Sequence, residues 1–132
     1  MAPETDILWY LRVERRDAEG LAVVICAGRV SNRTCPELET ALAAAAGEPT
    51  RGLILDLTGV DYISSSGLRA MESTSARLAA SGRPFVVCGV RESLSVAFDL
   101  AGLARSLAIE PSLEAALARC EPSWGPPSGG PS

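Results

Sequence analysis

The apolar and polar positions of the first thirty residues predict a hairpin. Ile7 to Arg16 and Leu21 to Arg29 are two stretches of strand length, and the second of them is mostly apolar. The residues between them, Asp17-Ala18-Glu19-Gly20, combine acidic side chains with a terminal glycine, which suits a tight turn. The sheet is therefore expected to begin with an antiparallel pair.

The next segment predicts a helix that begins at Thr34 and runs to Gly47. Thr34 is expected to cap it, with Glu37 three residues further on, as in a capping box. Pro36 is tolerated in the first turn of a helix, and Pro49 lies beyond the glycine as a stop.

Strand and helix patterns alternate over the rest of the chain. Gly52 to Thr58 and Phe85 to Val90 are almost wholly apolar, as expected for strands that are covered on both faces. Leu68, Met71 and Leu78 fall at helical spacing between them, and this helix is expected to end near Ser81. The remaining predicted elements are a helix at Glu92 to Ala101 closed by Gly102, a strand at Ser106 to Glu110 and a helix at Pro111 to Cys120.

This alternation predicts a single α/β domain over residues 7–120, with a mixed, mostly parallel sheet of about five strands packed with about four helices. Residues 1–6 are expected to form an N-terminal extension. Residues 121–132 are rich in proline, glycine and serine and are expected to form a disordered tail.

Composition excludes several classes of function. The net charge is -4 and the arginines are scattered, so nucleic acid is not an expected partner. The chain has neither histidine nor lysine, which removes a Ser-His-Asp triad, a Ser-Lys dyad and histidine metal sites. No apolar run is long enough to span a membrane, and the acidic start lacks the pattern of a signal peptide, so a cytoplasmic protein without a membrane partner is expected.

The cysteines give no sign of a metal or a redox motif. Cys26, Cys35, Cys88 and Cys120 lie far apart and form no C-x-x-C pair. We expect free thiols in a reducing compartment, with no metal and no cofactor. Cys35 leaves a redox role open, because a thiol in the first turn of a helix can have a lowered pKa.

A serine run, Ser64-Ser65-Ser66-Gly67, lies where the central strand hands over to a helix. In α/β sheets, binding sites form at such turns. A serine here either caps the helix or presents its hydroxyl to solvent for phosphorylation, and the pattern alone leaves both roles open. Gly67 is expected to let another surface approach closely, because it has no side chain.

At these residues the chain resembles a STAS domain, the fold of bacterial anti-sigma factor antagonists and of the cytoplasmic tails of sulfate transporters. The resemblance covers roughly Leu11 to Arg119. The segments that carry it, in order, are Ala27-Gly28-Arg29-Val30, Thr34-Cys35-Pro36-Glu37-Leu38, Leu53-Ile54-Leu55-Asp56-Leu57-Thr58-Gly59-Val60-Asp61-Tyr62-Ile63, Ser65-Ser66-Gly67-Leu68 and Phe98-Asp99-Leu100-Ala101-Gly102-Leu103.

The resemblance implies an anti-sigma factor antagonist that works by partner switching. Such a protein binds an anti-sigma factor, usually one that is also a serine kinase, and so frees a sigma factor. The kinase inactivates the antagonist by phosphorylation and a PP2C-type phosphatase restores it. The phosphoacceptor position is matched here by Ser65. The family's aspartate before it is Ser64, and the aspartate at the end of the second strand is Ser31, so three cases stay open: Ser65 is modified, Ser64 is modified instead, or partners bind without this switch.

The implied partner-binding surface joins two loops and the start of the second helix. Its residues are Ser31, Asn32, Arg33, Thr34, Ser64, Ser65, Ser66, Gly67, Leu68 and Arg69. Two other classes of function are kept beside this one. One is a STAS scaffold or small-ligand sensor that is not phosphorylated, and the other is an enzyme with Ser65 or Cys35 as nucleophile and Asp56, Asp61 or Glu37 as base, which we do not expect without histidine or lysine. A homodimer is also kept as an open alternative.

Overall fold

A five-stranded mixed sheet in the order β1-β2-β3-β4-β5 is the framework of the protein. The computed structural model describes residues 10–121. The strands are β1 (Leu11–Ala18), β2 (Leu21–Val30), β3 (Leu53–Ile63), β4 (Phe85–Cys88) and β5 (Ala108–Glu110). β1 and β2 pair antiparallel and the other neighbours pair parallel. The predicted α/β class and the mostly parallel sheet are therefore confirmed.

Helices cover both faces of the sheet. They are α1 (Cys35–Ala46), α2 (Ser65–Ala80), α3 (Glu92–Leu100), α4 (Leu103–Ser106) and α5 (Leu113–Arg119). Because side chains alternate along a strand, β3 sends Leu53 and Leu55 into the larger core with α1 and α2, and Ile54 into the smaller core with α5. The buried central strands that the apolar runs predicted are thus covered on both faces.

The predicted hairpin is confirmed, with a turn of two residues. β1 continues to Ala18, and Glu19 and Gly20 both adopt positive φ, at 57° and 84°. This conformation matches the right-handed twist of the two strands that the turn joins. The predicted strand residues 7–9, the expected N-terminal extension at 1–6 and residues 122–132 of the expected tail lie outside the described part of the chain.

Three sequence predictions need correction. Thr34 precedes α1, but its side chain makes no capping hydrogen bond to that helix. The prediction of a capping box is therefore wrong. A short helix, α4, occupies Leu103–Ser106, so the last strand begins at Ala108 and not at Ser106, and the described residues form five helices. β3 continues to Ile63, five residues past the predicted end at Thr58, because a bulge lets it stay paired with β2.

Candidate docking face at the carboxyl end of the sheet

The predicted surface residues lie together at one edge of the sheet. β2 and β3 are parallel and both end at this edge, where α1 and α2 begin. The backbone N–H of Ser64 donates to the carbonyl of Val30 at 2.7 Å, which joins the two strand ends directly. We call residues 29–34 and 61–69 the docking face.

The three serines of the run have different roles. Ser64 is only 8% exposed, and its hydroxyl caps α2 by accepting the backbone N–H of Gly67 at 3.3 Å. Ser66 donates from its hydroxyl to Oδ1 of Asn32, which ties the two loops together. Ser65 is the first residue of α2 and is exposed. The run therefore supplies a helix cap at Ser64 and an exposed hydroxyl at the adjacent Ser65.

Gly67 is buried under the face instead of leaving room for a partner. A Cβ at this position would lie 2.7 Å from Cγ1 of Val30 and 3.1 Å from Cγ2 of Ile63. The surface that approaches Gly67 closely is thus the protein's own β2 and β3, which corrects the expectation that another surface would do so. Only glycine lets the first turn of α2 pack this closely on the two strand ends.

The loop between β2 and α1 is held by buried hydroxyl groups. Ser31 and Thr34 are 7% and 6% exposed. The Thr34 hydroxyl donates to the carbonyl of Arg29 at 2.7 Å and accepts the backbone N–H of Ser31 at 2.9 Å, while Oγ of Ser31 accepts the backbone N–H of Arg33 at 3.2 Å. These bonds leave Asn32 and Arg33 exposed at the surface.

The ten residues of the predicted surface therefore divide by burial. Ser31, Thr34, Ser64 and Gly67 are buried and hold the two loops in place, whereas Asn32, Arg33, Ser65, Ser66, Leu68 and Arg69 are exposed or half-buried. Contact of these residues with a partner stays a prediction.

A groove that the sequence did not reveal opens beside the serine run. It has a volume of ≈ 370 Å³, and its lining residues are Arg29, Ser31, Asn32, Arg33 and Tyr62. The guanidinium of Arg29 lies 4.4 Å from the centre of the Tyr62 ring, and its Nη1 lies 4.0 Å from Oδ1 of Asp61. Arg29 and Tyr62 are partners in the β2–β3 register only because two irregularities shift that register, and so their proximity could not be predicted.

Asp56 supports the bulge that carries β3 to the docking face. Its Oδ1 accepts the backbone N–H of Thr58 at 2.9 Å and the hydroxyl of Thr58 at 2.6 Å. Ile25 is paired with Asp56 and Ala27 with Gly59, so β3 contains one residue more than β2 over this interval. Asp56 is thus a positioning residue.

In the described part of the chain, the carboxylates considered as bases for an enzyme form no hydrogen bond with the proposed nucleophiles. Across residues 10–121, no hydrogen bond joins Ser65 to Asp56, Asp61 or Glu37. The thiol of Cys35 lies 3.7 Å from Oε2 of Glu39.

Burial raises the pKa of all four cysteine thiols. Burial raises the pKa of the Cys35 thiol and the carboxylate of Glu39 raises it further, which is opposite to the lowered pKa considered from the sequence. Burial also raises the pKa of Cys26 and Cys88 to about 12 and raises the pKa of Cys120. All four are free thiols in the structure.

In the described part of the chain no helix is long and apolar enough to cross a bilayer.

Comparison with known proteins gives a matching family model and a related protein. The family model of the STAS domain matches residues 12–116. BtrV of Bordetella bronchiseptica, which is named as an anti-sigma factor antagonist, is 30% identical over 100 residues that cover 76% of this chain and 86% of BtrV.

Several solved structures share the fold. An anti-sigma factor antagonist from Mycobacterium paratuberculosis has a TM-score of 0.80 and 26% identity, over 86% of this chain and 96% of the other. The Bacillus cell fate determinant SpoIIAA in its phosphorylated form has a TM-score of 0.63 and 14% identity, over 83% of this chain and 98% of the other.

Proposed function

This chain belongs to the STAS domain family, and from that premise we propose that it is an anti-sigma factor antagonist. It binds an anti-sigma factor through the docking face and thereby frees a sigma factor. The names of BtrV and of the Mycobacterium protein support this role. A protein that frees a sigma factor acts where transcription takes place, so we place it in the cytoplasm, and we assign it no catalytic activity of its own.

We further propose that phosphorylation of Ser65 switches the binding off. The observation that carries this proposal is that the three serines differ in exposure and in hydrogen bonding. Ser65 is exposed, whereas Ser64 is buried as the helix cap and Ser66 is hydrogen-bonded to Asn32. A phosphoryl group adds about -1.5 to -2 charges. At the first residue of α2 the free N–H groups and the helix dipole favour that charge, so the fold tolerates it.

A partner seated on the docking face does not tolerate the same group. The interface would have to receive a bulky, strongly hydrated anion where it had packed against a neutral hydroxyl. The proposed kinase is the anti-sigma factor itself, and the proposed phosphatase that reverses the step is of the PP2C type. The solved phosphorylated form of SpoIIAA supports the compatibility of this fold with phosphorylation.

The acceptor is tested by intact mass after incubation with ATP and each kinase-type anti-sigma factor encoded in the same genome. We expect one phosphoryl group on the wild type, on Ser64→Ala and on Ser66→Ala, and none on Ser65→Ala. Ser64→Ala removes the cap and costs about 1 kcal/mol of stability, so folding of each variant is checked by circular dichroism. A wild type that gains no mass with any of these kinases, or a gain that disappears only in Ser64→Ala, would overturn the assignment of Ser65.

A further inference from the structure

The docking face carries a charge opposite in sign to that of the whole protein. The chain has a net charge of -4, but residues 29–34 and 61–69 contain the three arginines Arg29, Arg33 and Arg69 against the single carboxylate of Asp61. Ser31 and Ser64, which hold the loops from beneath, are neutral. A positively charged face on a protein of negative net charge favours a binding partner with an acidic surface.

Two of these arginines are not paired with a carboxylate in the part of the chain that the structure describes. Within residues 10–121, Arg33 and Arg69 are exposed and form no ion pair. Arg15 shows the contrast, because it pairs with Asp17 and Glu48, both at 2.7 Å. Arg33 and Arg69 are therefore available to a partner.

The groove beside the serine run suits a carboxylate side chain. The guanidinium of Arg29 lies over the ring of Tyr62, and Arg33 lines the same groove. Asn32 adds an amide, whose oxygen is already engaged by Ser66. Planar guanidinium groups bind carboxylates with defined geometry.

We propose that the docking face receives an acidic surface of the anti-sigma factor, with an aspartate or glutamate of that partner in the groove beside Arg33 and a second acidic group near Arg69. The inference rests on the proposed function and adds the chemistry of the partner. It also explains the switch in electrostatic terms. A phosphoryl group on Ser65 brings about -1.5 to -2 charges to the face, which cancels its positive charge and repels an acidic partner.

The test compares two charge reversals that change the net charge equally. One variant carries Arg33→Glu and Arg69→Glu on the docking face. The matched control carries Arg16→Glu and Arg105→Glu, two exposed arginines of β1 and α4 that form no ion pair within the described residues. Affinity for each purified anti-sigma factor of the same genome is measured by calorimetry at low and high NaCl concentration, with folding checked by circular dichroism.

We expect the docking-face variant to lose at least about tenfold in affinity and the control to stay within about twofold of the wild type. Wild-type binding is expected to weaken as NaCl rises, and the variant with Arg33→Gln and Arg69→Gln is expected to bind with intermediate affinity and a weaker dependence on salt. Equal affinities for the docking-face variant and the control, in a wild type that binds, would overturn the acidic partner surface and leave the proposed function intact. No binding by the wild type to any anti-sigma factor would overturn both.

Discussion

Replacing Asp56 with alanine is expected to lower the free energy of unfolding by about 2 to 3 kcal/mol, because hydrogen bonds to a charged group contribute more than neutral ones. Oδ1 of Asp56 accepts both the backbone N–H and the hydroxyl of Thr58, and Asp56 is only 8% exposed. The bulge of β3 depends on these bonds, so the β3–α2 turn should also loosen. Urea unfolding measures the first effect, and hydrogen exchange of the Ser64 amide, bonded to Val30, measures the second.

Asp56→Asn is the matched control for this prediction. The asparagine side chain keeps an oxygen acceptor of the same shape, so we expect it to lose less than half of the stability that alanine loses. If Asp56→Ala were as stable as Asp56→Asn, Oδ1 would not hold the bulge and Asp56 would not be a positioning residue.

Gly67→Ala is expected to destabilise the protein by about 2 to 3 kcal/mol, although alanine is the better helix former. The new Cβ would lie 2.7 Å from Cγ1 of Val30, a branched side chain with no room to turn away, since Val30 is fully buried. Relief of the clash moves the start of α2 away from β2, and with it Ser65 and Ser66. We therefore expect weaker binding of the anti-sigma factor together with a lower midpoint in urea.

A double-mutant cycle with Val30→Ala isolates this contact. Val30→Ala removes Cγ1, so adding Gly67→Ala to that background is expected to lower the free energy of unfolding by less than about 0.5 kcal/mol. The interaction energy between the two substitutions is expected to exceed about 1 kcal/mol. The same cost of Gly67→Ala in both backgrounds would contradict the clash with Val30 as the reason for a glycine here.

Local patterns were sufficient to predict most of the fold. The apolar runs identified β3 and β4, and the acidic, glycine-ended turn identified the β1–β2 hairpin, because both signals act within a few residues. The bulge of β3 could not be predicted, since it depends on a side-chain contact between Asp56 and Thr58 and on pairing with a distant strand. The predicted capping role of Thr34 was wrong for the same reason. Its hydroxyl donates to the carbonyl of Arg29, which precedes it, and not to the helix that follows.

The location of the site could be predicted, but the roles of its residues could not. A serine-rich turn between a strand and a helix points to this edge of the sheet. Which serine is buried depends on how α2 packs on Val30, and this separates Ser64 from Ser65. The groove with Arg29 and Tyr62 depends on the shifted register and has no signature in the sequence.

The proposed switch requires that a phosphoryl group on Ser65 strongly weakens docking of the anti-sigma factor. The most direct measurement uses protein made with phosphoserine at position 65 and a control made with phosphoserine at position 93, an exposed serine in the first turn of α3. Affinity for the purified anti-sigma factor is measured by calorimetry for both and for the unmodified protein. We predict a loss of at least about tenfold with phosphoserine 65 and little change with phosphoserine 93. Equal affinity of the phosphoserine 65 protein and the unmodified protein would overturn the proposed switch.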